Sequence, residues 1–135
     1  MNITTKGRYA LRVMIDLAQH QQESVVSLKA ISERQDISLK YLEAIVAVLN
    51  HAGYVESQRG KNGGYRLTRK PEEYTVGELL RVTEGSLAPV GCLDSGCPHA
   101  DGCITLPLWA GLDRRIDEYL RQVTLGDLLN GTVPE

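Results

Sequence analysis

Residues 27–69 read SLKAISERQDISLKYLEAIVAVLNHAGYVESQRGKNGGYRLTR. Ser27 opens a short helical pattern with Leu28 and Ile31 on its inner face, and the segment QDIS interrupts it. Ser38 stands where a helix N-cap belongs, ahead of a second pattern in which Leu42, Ile45, Val46 and Leu49 form one apolar stripe. Gly53 follows, as a helix C-terminus requires. Residues 54–59 and 65–69 then alternate apolar and polar in the manner of strands. Between them lies GKNGG, glycines and an Asn suited to positive φ and a tight hairpin. Helix, turn, capped helix and glycine-tipped hairpin, in that order, spell a winged helix-turn-helix. The expected fold class is mostly α with a small β-hairpin wing.

Working outward, residues 8–20 place Leu11, Met14, Ile15 and Ala18 at helical spacing, with Thr4 or Thr5 available as a cap. SVVS at 24–27 is long enough only for a small strand. Pro71 ends the wing, and Thr75 with Glu78 has the spacing of a capping box opening a further helix. Residues 86–103 are a loop by composition. Leu108, Leu112, Ile116, Tyr119, Leu120 and Val123 then recur at threes and fours, the mark of one amphipathic helix of roughly five turns. Pro107 falls in its first turn, where proline is tolerated. The expected division is a DNA-binding domain at 1–85, a cysteine loop at 86–103, and a dimerisation helix with a C-terminal tail at 104–135. No internal repeat is read.

Composition narrows the function. The net charge of −2 hides an asymmetry: residues 1–70 hold 11 Lys and Arg against 6 Asp and Glu, while residues 71–135 hold 4 against 11. A basic half beside an acidic half fits phosphate binding by one part, although ordinary scatter of surface charge gives the same tally. No run of 18 apolar residues exists, and Arg12 and Asp16 interrupt the only stretch resembling a leader, so a cytoplasmic protein is expected. No nucleophile with an activating base, no phosphate-cradling loop before a helix and no paired acid signature is present, which argues against an enzyme.

The start of the second helix of the pair presents Ser38, Lys40, Tyr41 and Glu43 before the apolar stripe takes over. Such residues meet base edges in a helix-turn-helix. Lys40 suits guanine acceptors or a phosphate, and Glu43 suits cytosine N4. Tyr41 suits either a phosphate or packing beneath the helix. Arg59, at the shoulder of the glycine tip, is the candidate for minor-groove insertion or a plain phosphate clamp. Lys61 in the tip, with Lys6 and Arg8 ahead of the first helix, reads as a phosphate contact, and Arg66 and Arg69 add charge to the hairpin. The bland reading is a set of solvated polar residues at an exposed helix end. His20 and His51, near helix ends, read as structural.

All three cysteines, Cys92, Cys97 and Cys103, fall in the 86–103 loop. Their C-x4-C-x5-C spacing departs from the paired C-x2-C units of a zinc ribbon. An odd count in one loop is poor material for a disulfide framework. Three thiolates with His99 as a fourth ligand suit an iron–sulfur cluster; Asp94, Asp101 or a second subunit are other sources of that ligand. A thiol redox switch, zinc, and cysteines without a ligand role stand as alternatives.

The N-terminal MNITTKGRYALRVMIDLA, the stretch ISERQDISLKYLEAIVAVLNHAGYVES and the wing RGKNGGYRL resemble the IscR/NsrR/CymR (Rrf2-type) family of bacterial transcription regulators over essentially residues 1–130. The resemblance implies a homodimer whose long C-terminal helices cross, bound to a palindromic operator. It is greatest to the IscR branch, which implies a labile 2Fe–2S cluster on Cys92, Cys97 and Cys103, and DNA-reading roles for Ser38, Lys40, Glu43 and Arg59. Two departures from that branch stand out: the first cysteine gap is one residue shorter, and Leu106 occupies the place of the expected ligand histidine. Arg8 stands where the nitric-oxide-sensing branch has an acidic ligand. The expected function is thus a DNA-binding regulator sensing cluster status. One alternative is a regulator of cysteine metabolism or redox state gated by a thiol switch or by a sulfur-metabolism or cluster-assembly protein. Another is a cluster- or metal-binding protein that binds no operator.

Overall fold

Thr4 caps the first helix, α1 (Thr5–Gln19), through its side chain, which accepts from the Gly7 N–H. This computed structural model describes residues 3–96 and 101–135. Val13, Met14 and Leu17 of α1 are fully buried and form the axis on which the other elements pack. Helix α2 (Leu28–Gln35) is capped by Ser27 and contributes Ile31 to the core. Helix α3 (Leu39–His51) is capped by Ser38 and buries the predicted stripe of Leu42, Ile45, Val46 and Leu49. Each such aliphatic side chain contributes roughly 1.5–3 kcal/mol by leaving water. The turn between α2 and α3 passes through Asp36 at φ 54, the sole non-glycine residue with positive φ among those described.

Strands β1 (Val55–Gln58) and β2 (Gly64–Leu67) pair antiparallel in the register Val55↔Leu67, Glu56↔Arg66, Ser57↔Tyr65, Gln58↔Gly64. Val55 and Leu67 face the core, while Glu56 and Arg66 face water as an ion pair at 2.6 Å. The small strand expected at 24–27 is a single bridge, with Val26 and Tyr65 exchanging backbone hydrogen bonds of 2.9 and 2.8 Å. Gly64 permits it, since a Cβ there would stand 2.3 Å from the Val26 carbonyl oxygen. The hairpin tip turns at Gly60, whose φ of 117 is a conformation that favours glycine.

After a short 3-10 turn at Pro71–Glu73, helix α4 (Val76–Glu84) starts from the predicted Thr75–Glu78 capping box. Glu84, its last residue, accepts from the Thr4 N–H at 3.1 Å and hydroxyl at 2.7 Å, tying α4 to the start of α1. A four-residue helix, α5 (Cys92–Ser95), lies within the stretch read as loop. Helix α6 (Leu106–Gln122) is the long C-terminal helix, with Pro107 in its first turn as expected.

The chain does not end in that helix. Val123, placed on the α6 stripe by its spacing, leaves the helix in extended conformation and is buried. A further helix, α7 (Leu125–Asn130), begins from a second capping box, Thr124 with Asp127, and packs on α1 and the 3-10 turn. Thr75 and Thr124 face each other in an antiparallel bridge. Val76 N–H donates to the Val123 carbonyl at 2.8 Å, and Leu125 N–H donates to the Tyr74 carbonyl at 3.0 Å. The expectation of no repeat is therefore corrected: TVGELL at 75–80 and TLGDLL at 124–129 are one short motif used twice, joined cap to cap.

Candidate nucleic-acid interface and cysteine segment

Because α3 buries one stripe, its opposite side and N-terminal turn are left to solvent: Ser38, Leu39, Lys40, Tyr41 and Glu43 are exposed. The Ser38 hydroxyl is occupied at its own cap, accepting from the Tyr41 N–H at 3.2 Å. Lys40 and Glu43 make no ion pair within the described residues, so both are available to an external group. Tyr41 is 37% exposed and packs edge-to-face on Tyr9 of α1, ring centroids 5.7 Å apart. The ring contact fits the packing reading, and the exposure leaves the side chain open to a phosphate as well.

The wing does not offer all four of its basic residues. Arg66 is paired with Glu56 across the hairpin, and Arg69 with Glu78 of α4 at 2.9 Å. Arg69 also lies over the Tyr54 and Tyr74 rings, 5.1 and 5.2 Å from their centroids. Arg59 and Lys61 stand exposed at the tip without an ion pair among the described residues. Arg8 is exposed on α1, its guanidinium donating to the Thr5 hydroxyl at 3.2 Å and making no ion pair among the described residues. A cationic tip with small neighbours, a capped helix end with one free cation and one free carboxylate, and Arg8 can together hold phosphates and read base edges.

The polar contacts that set α2 on α1 are not legible in the apolar pattern of the sequence. Asp16 is buried in α1, yet its carboxylate accepts from Arg34 at 2.7 and 3.0 Å and from Gln35 at 3.0 Å. Burial works to raise its pKa; the Arg34 and Gln35 hydrogen bonds, with the charges of Arg34 and His20, outweigh it and hold the carboxyl below its ordinary value. His20 bonds the Asp16 carbonyl oxygen through Nδ1 at 2.8 Å, the structural role expected of it. His51 lies exposed in the last turn of α3. Arg12 reaches Gln35, at 3.1 Å to its side chain and also to its carbonyl oxygen, and lies 5.1 Å from the Tyr9 ring centre. A signal existed: Asp16 is a charge interrupting an otherwise apolar helix face, and Arg34 is the cation at the end of the next helix.

Cys92 lies on α5 and Cys103 just ahead of α6; both are half-buried free thiols. The Cys103 sulfur is 3.4 Å from the Thr105 hydroxyl, and that contact, with the backbone N–H groups of Thr105 and Leu106, lowers the thiol pKa despite a small opposing effect of burial. A thiolate is the form that binds metal. Cys97 and His99 lie outside the described residues, and among those described no three Cys, His, Asp or Glu side chains gather at one point. Asp94 accepts from the Ser86 hydroxyl at 2.5 Å, and Asp101 is exposed.

Helix α6 has no buried residue, and Leu108 and Leu112 are 61% and 41% exposed. No helix among the described residues is long and apolar enough to cross a membrane.

Comparison with known proteins agrees with this architecture. The family model Rrf2, described as an iron-dependent transcriptional regulator, matches residues 3–131. The HTH-type transcriptional regulator IscR of Aliivibrio salmonicida is 45% identical over 130 residues, covering 96% of this chain and 77% of that protein. Among solved structures, CymR, the global cysteine regulator of B. subtilis, superposes with a TM-score of 0.80 at 39% identity, covering 98% of both chains. T. potens IscR does so with a TM-score of 0.80 at 43% identity, covering 97% of this chain and 88% of that one. The chain belongs to the Rrf2 family and is a winged-helix, DNA-binding transcription regulator.

Proposed function

We propose that this regulator binds a two-fold operator as a homodimer joined through α6, and that an iron–sulfur cluster held by the cysteine segment sets its DNA affinity or choice of site. The observation that carries the DNA reading is the pairing of two unneutralised surfaces, the α3 N-terminal turn and the Arg59–Lys61 tip, beside wing arginines that are neutralised within the fold. Lys40 and Glu43 read base edges in the major groove, Arg59 enters or clamps the adjacent minor groove, and Lys61 and Arg8 hold phosphates. Ser38 contributes by fixing the helix start, and Tyr41 by bracing it on Tyr9. Helix α6 packs one side on α4 through Leu120, while Leu108, Leu112 and Tyr119 stay exposed among the described residues, and these exposed apolar side chains on a 17-residue helix support dimerisation. Two-fold symmetry then presents the α3 helices to half-sites about 34–36 Å apart.

Cys92 and Cys103 fit a cluster by donor chemistry, being free thiols of which one is drawn towards the thiolate; Cys97 and His99 would complete the set. When bound, the cluster supplies an iron- and oxidation-sensitive link within this segment. The chain's own residues carry any change onward: Glu84, directly before the segment, holds the Thr4 cap of α1, and α6 follows directly after it. A regulator gated by its thiols or by a partner protein is the second reading, favoured by the full-length match to CymR and by the lowered Cys103 thiol.

The experiment is oxygen-free purification with iron and sulfide analysis, followed by in vitro selection of duplex DNA. Bound iron and sulfide, lost from a Cys92→Ala, Cys97→Ala, Cys103→Ala variant with altered operator affinity, is the expected result. Colourless protein after anaerobic reconstitution would leave the thiol-gated reading. Absence of any selected duplex would refute operator binding itself.

A further inference from the structure

Tyr74 lies outside the DNA-facing surface, between the wing and α4, and is completely buried. Its hydroxyl accepts from the Thr68 N–H at 2.9 Å and the Arg69 N–H at 3.0 Å, and donates to the Tyr54 carbonyl at 2.8 Å. A phenol has one donor and two acceptor sites, so these three backbone bonds saturate it. The partners are the residues just outside the two strand ends, Tyr54 before β1 and Thr68 and Arg69 after β2. One side chain thus holds both legs of the hairpin at its base. The Thr68 hydroxyl adds a bond to the Gly53 carbonyl at 2.8 Å, closing the same clasp. The main chain of Tyr74 faces the other way: its carbonyl accepts from Leu125 at the start of α7.

We propose that Tyr74 is a positioning residue for DNA binding, its hydroxyl fixing the base of the wing to the α4–α7 junction and so setting where Arg59 stands relative to α3. The ring alone accounts for packing, since phenylalanine would fill the same space; the hydroxyl's partners, three backbone groups and the Thr68 hydroxyl at 3.3 Å, all belong to the wing base. Without it, the Thr68 and Arg69 N–H groups at the hinge lose their partner and the Tyr54 carbonyl keeps only the Thr68 hydroxyl at 3.2 Å, so the hairpin acquires freedom about its base that DNA binding must then remove. The inference rests on the reading of the wing as a DNA contact.

The test uses the full-length protein and a duplex recovered by in vitro selection on the wild type. Binding is measured across salt concentrations for Tyr74→Phe, Arg59→Ala and the double variant, with thermal melts of each. Tyr74→Phe is expected to bind about fivefold more weakly and to share the loss of about one unit of salt slope shown by Arg59→Ala. In the Arg59→Ala background it should cost little more, because the contact it positions is already gone. Independent, multiplying losses, or unchanged affinity in Tyr74→Phe, would overturn the proposal. Should Tyr74→Phe fail to fold, Thr68→Ala loosens the same clasp and must show the same non-additivity with Arg59→Ala. An Arg59→Ala variant that binds like wild type instead refutes the wing contact, and the proposal falls with it.

Discussion

Replacing Arg34 by alanine should destabilise the protein more than replacing Asp16 by asparagine, although both changes break the same ion pair. The reason is an asymmetry of burial: the Asp16 side chain is 1% exposed and the Arg34 side chain 33%. Asp16→Asn leaves a neutral amide that still faces Gln35, and it frees an arginine that turns into water, so it should cost about 1–2 kcal/mol. Arg34→Ala strands a buried carboxylate with one amide donor and His20 at 3.7 Å. Breaking a buried pair costs about 3–5 kcal/mol, and with one partner partly in solvent the low end applies, about 3 kcal/mol. Urea denaturation followed by circular dichroism at fixed protein concentration measures both. The pH dependence supplies a second check. The folded pKa of Asp16 lies below its ordinary value of 3.8. Its stabilisation is therefore fully present above that ordinary value and is lost as pH falls through the folded pKa. The gap between wild type and Asp16→Asn should accordingly be constant near neutrality and narrow in acid. If Arg34→Ala proved no worse than Asp16→Asn, or the gap were constant into strong acid, the carboxylate would not be held by this pair and the account of how α2 is seated on α1 would fail.

Three further outcomes are expected. Glu43→Ala should relax sequence preference at one operator position by about 1–3 kcal/mol, read by competition between duplexes differing at single bases, while leaving the salt slope unchanged. Leu112→Asp, placing a charge on the uncovered face of α6, should convert the dimer to monomer in sedimentation experiments at micromolar protein, with operator affinity falling in parallel; a persistent dimer would move the interface elsewhere. Asp36→Gly should raise stability by roughly 0.5–1 kcal/mol, because the left-handed φ of 54 strains an aspartate and not a glycine. A lower midpoint in urea would show that the aspartate side chain, not its backbone, matters at that turn.

Local signals were the ones legible in the sequence. Ser27, Ser38 and the Thr75–Glu78 box each cap the helix assigned to them, the stripe from Leu42 to Leu49 is the buried face of α3, and the glycine run is the hairpin tip. These are decided within a few residues by hydrogen bonds the chain makes to itself and by which face can leave water, so spacing alone determines them. Helix α7 was equally local, opened by Thr124 and Asp127 in the spacing of its twin at Thr75, and went unread only because the apolar periodicity of α6 ran into it through Val123.

Tertiary structure decided the rest. Whether an arginine on the wing meets a ligand or a carboxylate depends on residues far along the chain: Arg69 is claimed by Glu78 and two tyrosine rings, while Arg59 is not. The same holds for the contact between Tyr41 and Tyr9, which no local pattern gives, and for Asp16, whose burial is tolerable only because Arg34 arrives beside it. Helix periods and caps are properties of neighbouring residues and are written in the chain; the pairing of charges and the saturation of a buried hydroxyl are properties of distant segments brought together, and only the packed fold supplies them.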